Sequence, residues 1–138
     1  MLLNIKTWHR GVEQRDQREI VYVCTHIDMV TQACREYCFT DGHAKDRLTM
    51  FFNSLSDLDK VDWGVVEQKY WSSTEDDPDR MRRKQAEFLA KSHVPLSCIS
   101  GIIVLDDSAA EKVQIIQKAI GCNLPVHIDK IRKYYYND

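Results

Sequence analysis

Glycine and proline are scarce in this chain, with 5 and 3 copies among 138 residues. No stretch reads as a convincing linker, and no internal repeat is present. A hydrophobic share of 43% suits a chain of this length that folds as one domain, residues 1–138, without covalent staples. No apolar run approaches the roughly 20 residues that a membrane-spanning helix requires. Met1-Leu2-Leu3-Asn4-Ile5-Lys6 has no long apolar core behind a basic head, which argues against a signal peptide and for a cytoplasmic protein with no membrane partner. The net charge of −2 excludes a polyanion binder that works through its whole surface, so any nucleic-acid site has to be a local basic patch.

The five cysteines, at 24, 34, 38, 98 and 122, are odd in number and form no Cys-x-x-Cys pair. Neither a disulfide framework nor a zinc knuckle is indicated. Cys34, Cys38 and His43 lack a fourth ligand and the usual spacing, so no metal is expected and the thiols read as buried small hydrophobes. The glycine-rich dinucleotide fingerprint is missing, which weighs against a Rossmann dehydrogenase. Ser-His-Asp and metalloprotease patterns are missing too.

What is present alternates between strand-like and helix-like segments. Glu19 to Cys24 is β-branched and aromatic and reads as a strand. Asp28 is a candidate cap for a helix through about Cys34, and Cys38-Phe39-Thr40 is a second strand closed by the turn-forming Asp41-Gly42. The spacing of Leu48, Phe51 and Phe52 predicts a helix over 44–53. Asp62 caps another, with Trp63, Val65, Val66 and Tyr70 on its apolar stripe. A polar loop follows from Ser72 to Arg80. Gly101-Ile102-Ile103-Val104 reads as a buried strand, Ser108 as the cap of a helix bearing Ala109, Val113, Ile116 and Ile120, and Gly121 as its stop. Pro125 to Ile128 is a last strand. These segments predict a mixed α/β (α+β) class, a central β-sheet flanked by helices.

Two short stretches carry chemistry. In Arg82-Arg83-Lys84-Gln85-Ala86-Glu87-Phe88-Leu89 a carboxylate sits in an apolar run directly behind a cluster of cations. A carboxylate so placed can stabilise a developing sugar cation, as in glycoside hydrolysis. In Phe39-Thr40-Asp41-Gly42-His43-Ala44 an imidazole follows a turn, where it can reach a cleft and donate a hydrogen bond or move a proton. Asp41 reads as a turn residue. Arg80, Arg82, Arg83 and Lys84 could engage phosphates, and Tyr70 or Trp71 could stack on an unpaired base. Each has a plainer reading: Glu87 on an exposed helix, His43 bound to backbone, the charge run as a solvated loop with Asp76, Asp77 and Asp79, Trp71 in the core. His26, His93 and His127 have apolar neighbours and read as structural.

Taken in order, Met1-Leu2 with Asn4-Ile5, Glu19-Ile20-Val21, Thr40 to Ala44, Leu58-Asp59-Lys60-Val61-Asp62-Trp63, Gln85-Ala86-Glu87, Gly101-Ile102-Ile103 and Pro125-Val126 resemble the DarT family over nearly the whole chain. That family consists of toxins of toxin–antitoxin systems that transfer ADP-ribose from NAD to bases of single-stranded DNA. The resemblance implies an ADP-ribosyltransferase-like fold, Glu87 and His43 as catalytic residues, and DNA contacts through Arg80, Arg82, Arg83, Lys84 and Trp71. It turns Gln85 to Val94, helical by propensity, into a strand. It also implies NAD as co-substrate and no metal, with single-stranded DNA and a macrodomain antitoxin as partners.

In the family, Met1 corresponds to a position inside the domain, after a segment with the NAD-gripping histidine, a threonine and a catalytic arginine. Those residues have no counterpart here. Thr25-His26-Ile27-Asp28 copies their lettering but follows a strand, so no NAD contact is assigned. Shortening of this kind predicts an open sheet edge and a homodimer formed through it. It also leaves a second expectation, a catalytically inactive relative that binds nucleic acid or protein.

Overall fold

The computed structural model describes residues 13–136. The Met1-Leu2 and Asn4-Ile5 positions of the family pattern lie outside them. The chain divides into two compact units, one built from the residues up to Met29 and from Pro95 onward, the other from Val30–Val94. Helices and strands are mixed, as the sequence predicts, and among the described residues the strands fall into two three-stranded sheets rather than one.

In the first unit, β1 (Tyr22–Thr25), β5 (Ile99–Val104) and β6 (Val126–Ile128) form a sheet in the order β1-β5-β6. β1 runs antiparallel to β5, with an irregularity between Cys24 and Thr25, and β6 runs parallel to β5. A parallel pair needs a long crossover, here the helix α4 (Asp107–Ala119). Val104, Ala109 and Ala110 are buried between this helix and the sheet, with Ile102, Val113, Val126 and Ile128 packed around them. Leu105 and Tyr135 make a second cluster, where the Tyr135 hydroxyl donates to the carbonyls of Ile20 and Ile103.

In the second unit, β2 (Tyr37–Thr40) is the central strand, antiparallel to β3 (Phe51–Phe52) and to β4 (Phe88–Ala90). Phe39 is buried and stacks on both Phe52 and Phe88, so one aromatic from each strand holds the sheet. Short helices, α2 (Trp63–Val66) and α3 (Arg80–Arg83), bracket the polar loop. The segment around Glu87 leads into β4, a strand where propensity favours helix.

Several expectations are corrected. Residues 44–53 form turns and then β3, not a helix. The amide of Leu48 bonds the Asp46 carboxylate, that of Met50 bonds the Asp41 carboxylate, and Thr49 donates its hydroxyl to the His43 carbonyl. Side chains thus take the bonds that a helix would make within its backbone. Asp62 does cap α2, accepting from the Val65 amide, but the helix ends at Val66, and Trp63 and Tyr70 are exposed. Lys84 donates to the carbonyls of Val65 and Val66, in the last turn of that helix. In α4 the cap is Asp106, not Ser108. Its inner stripe is Ala109, Val113 and Gln117, which leaves Ile116 and Ile120 exposed. Asp28 lies within the first turn of α1 (Ile27–Ala33) rather than before it.

Candidate active site

The candidate site is assembled by the last residue of β2. Thr40 is fully buried, its hydroxyl donates to the Gly42 carbonyl at 2.6 Å, and the same oxygen accepts from the Glu87 amide at 3.0 Å. The Thr40 amide donates to the Glu87 carbonyl at 2.9 Å. Backbone and side chain of one residue therefore grip Glu87 and also shape the turn that follows. A buried hydroxyl with donor and acceptor both used is a rigid junction.

That turn, Asp41-Gly42, needs glycine for space. A Cβ at Gly42 would lie 2.4 Å from a guanidinium nitrogen of Arg82 and 3.0 Å from its carbonyl. His43 follows and donates its amide to that carbonyl at 3.0 Å. Its Nδ1 stands 3.8 Å from Glu87 Oε1, with both side chains partly open to solvent. The Lys45 amide donates to the same Nδ1 at 3.3 Å, which ties the ring to the turn that follows. One carboxylate and one imidazole are thus held on adjacent chain segments.

The cations predicted to line the site are each engaged within the fold. Arg82 grips Asp79 with two bonds of 2.7 Å and reaches Asp41 at 3.0 Å and Thr49 at 3.3 Å. These carboxylates, Asp79 foremost, raise its pKa further above its usual range, while the pairing holds the Asp79 carboxyl below its own. Arg83 pairs with Asp62 and Asp77, and Arg80 with Gln68 and Asp77. Lys84 is buried, which lowers its pKa, with the charge of Arg80 adding to the effect. Its ammonium lies 5.1 Å from the centre of the Trp71 ring, which is 37% exposed.

The structure thus brings Glu87 and His43 together, pairs Arg80, Arg82 and Arg83 with carboxylates and seats Lys84 on backbone carbonyls. Residue-level reading missed Thr40 as the junction and took Asp41 only as a turn former. The Thr-Asp-Gly-His string was the available signal, because a small residue between two hydrogen-bonding ones marks a tight turn. A cavity of about 510 Å³ lined by Gln117, Lys118, Cys122 and Leu124 lies in the first unit and contains neither site residue. Among the described residues, no group of three His, Cys, Asp or Glu side chains could hold a metal ion.

Comparison with known proteins gives a consistent result. The family model described as ssDNA thymidine ADP-ribosyltransferase, DarT, matches residues 1–136. A DNA ADP-ribosyl transferase of Escherichia coli O127:H6 is 30% identical over 137 residues, covering 99% of this chain and 62% of the relative. One from Thermus aquaticus is 32% identical over 103 residues, covering 75% of this chain and 44% of the relative. The chain therefore spans 44% to 62% of the length of these relatives. Among solved structures, Thermus sp. 2.9 DarT in complex with NAD+ superposes with a TM-score of 0.86 at 27% identity, over 98% of this chain and 66% of that one. The same protein in complex with ADP-ribosylated ssDNA gives 0.83, over 98% and 63%. By sequence and by fold, this chain belongs to the DarT family.

Proposed function

We propose that this chain performs the chemistry of its family, transfer of ADP-ribose from NAD to a base of single-stranded DNA, with Glu87 and His43 as its catalytic residues. The observation that carries the reading is the 3.8 Å approach of His43 Nδ1 to Glu87 Oε1, both held through Thr40. NAD would supply the ADP-ribosyl group, whose ribose carbon becomes positive as nicotinamide departs. A carboxylate and an imidazole open to solvent fit that demand. Glu87 stabilises the positive charge, orients the acceptor and takes the proton that the base nitrogen loses as its bond to the ribose carbon forms, while His43 donates a hydrogen bond to a polar edge of the base. An unpaired base suits this arrangement, because no duplex has to be opened.

Trp71, with one side over Lys84 and 37% of its surface open, serves as a stacking surface. Arg80, Arg82, Arg83 and Lys84 belong to the DNA site through the frame they build for it. The same reading makes the chain a cytoplasmic toxin with a macrodomain antitoxin as partner, and a homodimer pairing through an open sheet edge. Light scattering that gave only a monomer mass across a concentration range would remove the dimer.

The deciding experiment incubates the chain with labelled NAD and single-stranded oligonucleotides beside Glu87→Ala. Label should pass to DNA with the unaltered chain and fall by at least 10²-fold in the mutant, the order of loss expected when a charge-stabilising group is removed. DNA binding without label transfer would instead make the chain a binding module.

A further inference from the structure

We infer that the segment from Lys45 to Phe51 is the surface on which the DNA strand beside the reacting base is laid. The inference rests on the DNA-modifying reading above. The fold sorts the cations in a way that the sequence does not display. Arg82 and Arg83 each hold two or more carboxylates, and Lys84 is sunk against two carbonyls. Lys45 and Arg47, in the turn directly after His43, are exposed and have no carboxylate within ion-pair distance among the described residues. Their charges are free to meet phosphate oxygens.

The acid between them, Asp46, turns its carboxylate to the Leu48 amide at 2.9 Å, and the segment keeps a net positive charge. Beyond it Leu48, Met50 and Phe51 are 73%, 60% and 55% exposed. Free cations followed by an exposed aromatic on an edge strand are what a single strand requires: charges for its backbone and a flat apolar face for an unpaired base. The segment is also fixed to the site at several points. Thr49 donates to the His43 carbonyl, Met50 donates to Asp41, and Phe51 lies opposite Thr40 across the β2–β3 pair. A strand laid there meets a surface already ordered, beside the imidazole. A second copy of this chain fits less well, because a two-fold contact would bring Lys45 and Arg47 close to their own images.

The test is fluorescence anisotropy of a labelled single-stranded oligonucleotide with the unaltered chain, Lys45→Ala/Arg47→Ala and Phe51→Ala, each checked for an unchanged melting transition. The double substitution should weaken binding at least tenfold at low salt. It should also flatten the plot of log affinity against log salt by about 1.4, since each phosphate that a cation neutralises on a single strand contributes about 0.7 to the slope. Phe51→Ala should weaken binding at least fivefold with the salt slope unchanged. Unaltered affinity and slope in the double mutant, while the original chain binds, would overturn this inference and leave the DNA-modifying reading standing. An original chain that binds no oligonucleotide would overturn both. A dimer that dissolves in Phe51→Ala, with DNA binding intact in both mutants, would make the patch a self-association face and overturn the inference alone.

Discussion

Arg82 shows how far a residue's role depends on its neighbours. In sequence it belongs to a basic cluster, whereas in the fold its guanidinium ties Asp79 to Asp41, and Asp41 in turn fixes Met50 at the far end of the His43 turn. Arg82→Lys keeps the charge but not the planar fork that spans two carboxylates. It should cost about 1–3 kcal/mol in urea unfolding and lower the rate of the proposed ADP-ribose transfer about 10²-fold, with oligonucleotide affinity nearly unchanged. An equal loss of affinity would mean that Arg82 meets phosphate directly. Gly42→Ala probes the same brace from the other side. The new methyl meets a backbone carbonyl that cannot swing away, and about 1–3 kcal/mol of stability should be lost. Asp79 sets the acid limit of the brace. Its folded pKa lies below the unfolded value, so its contribution is complete above about pH 4 and fades as pH falls through the folded value.

At the scale of elements, capping decides what periodicity leaves open. Asp106 accepts from the Ala109 amide at 3.0 Å and receives Arg18 Nε at 2.7 Å. The Ala109 bond, first, and the Arg18 charge hold its carboxyl below the usual range against the opposing effect of burial. Asp106→Ala should cost about 1–2 kcal/mol, seen as a lower melting temperature at pH 7. Below the folded pKa of Asp106 the difference between the two proteins should shrink, because protonation has already removed the same interaction. An undiminished difference at low pH would mean that charge is not what Asp106 contributes.

Element existence was legible wherever apolar runs were bounded by turn residues: β1, β2, β5, β6 and α4 all lie within a few residues of the sequence reading. The failure at 44–53 has a local cause. Leu48, Phe51 and Phe52 imitate a helical stripe, while Asp41, Asp46 and Thr49 divert the backbone bonds a helix would need. No count of apolar spacing registers that competition.

At the scale of the molecule, the described chain ends within its first unit meet through Gln17, which is buried. Its amide donates to the Tyr136 carbonyl at 3.2 Å and accepts from the Tyr136 amide at 2.9 Å. Asp129 secures the same closure by accepting from the amides of Lys133, Tyr134 and Tyr135. Burial raises its carboxyl pKa, but those three amides outweigh burial and bring it below the usual range. Asp129→Asn would set an amide group against backbone donors and should cost about 2–4 kcal/mol by urea unfolding. The stability Asp129 supplies is present above about pH 4 and lost as pH falls through its folded value, so the mutant should tolerate acid with a flatter profile.

By itself the sequence determined the family and the mixed class, and it singled out the carboxylate and imidazole proposed for the site, because these reside in short ordered strings whose meaning does not depend on distant partners. The net charge of −2 likewise implied that any DNA contact would be local. Only the tertiary structure decided which cations are free. Arg82 and Arg83 face carboxylates from as far away as Asp41 and Asp62, whereas Lys45 and Arg47 face none among the described residues. A charge is available to a ligand only when the fold has left it unpaired, and pairing is a matter of distance in space rather than position in the chain.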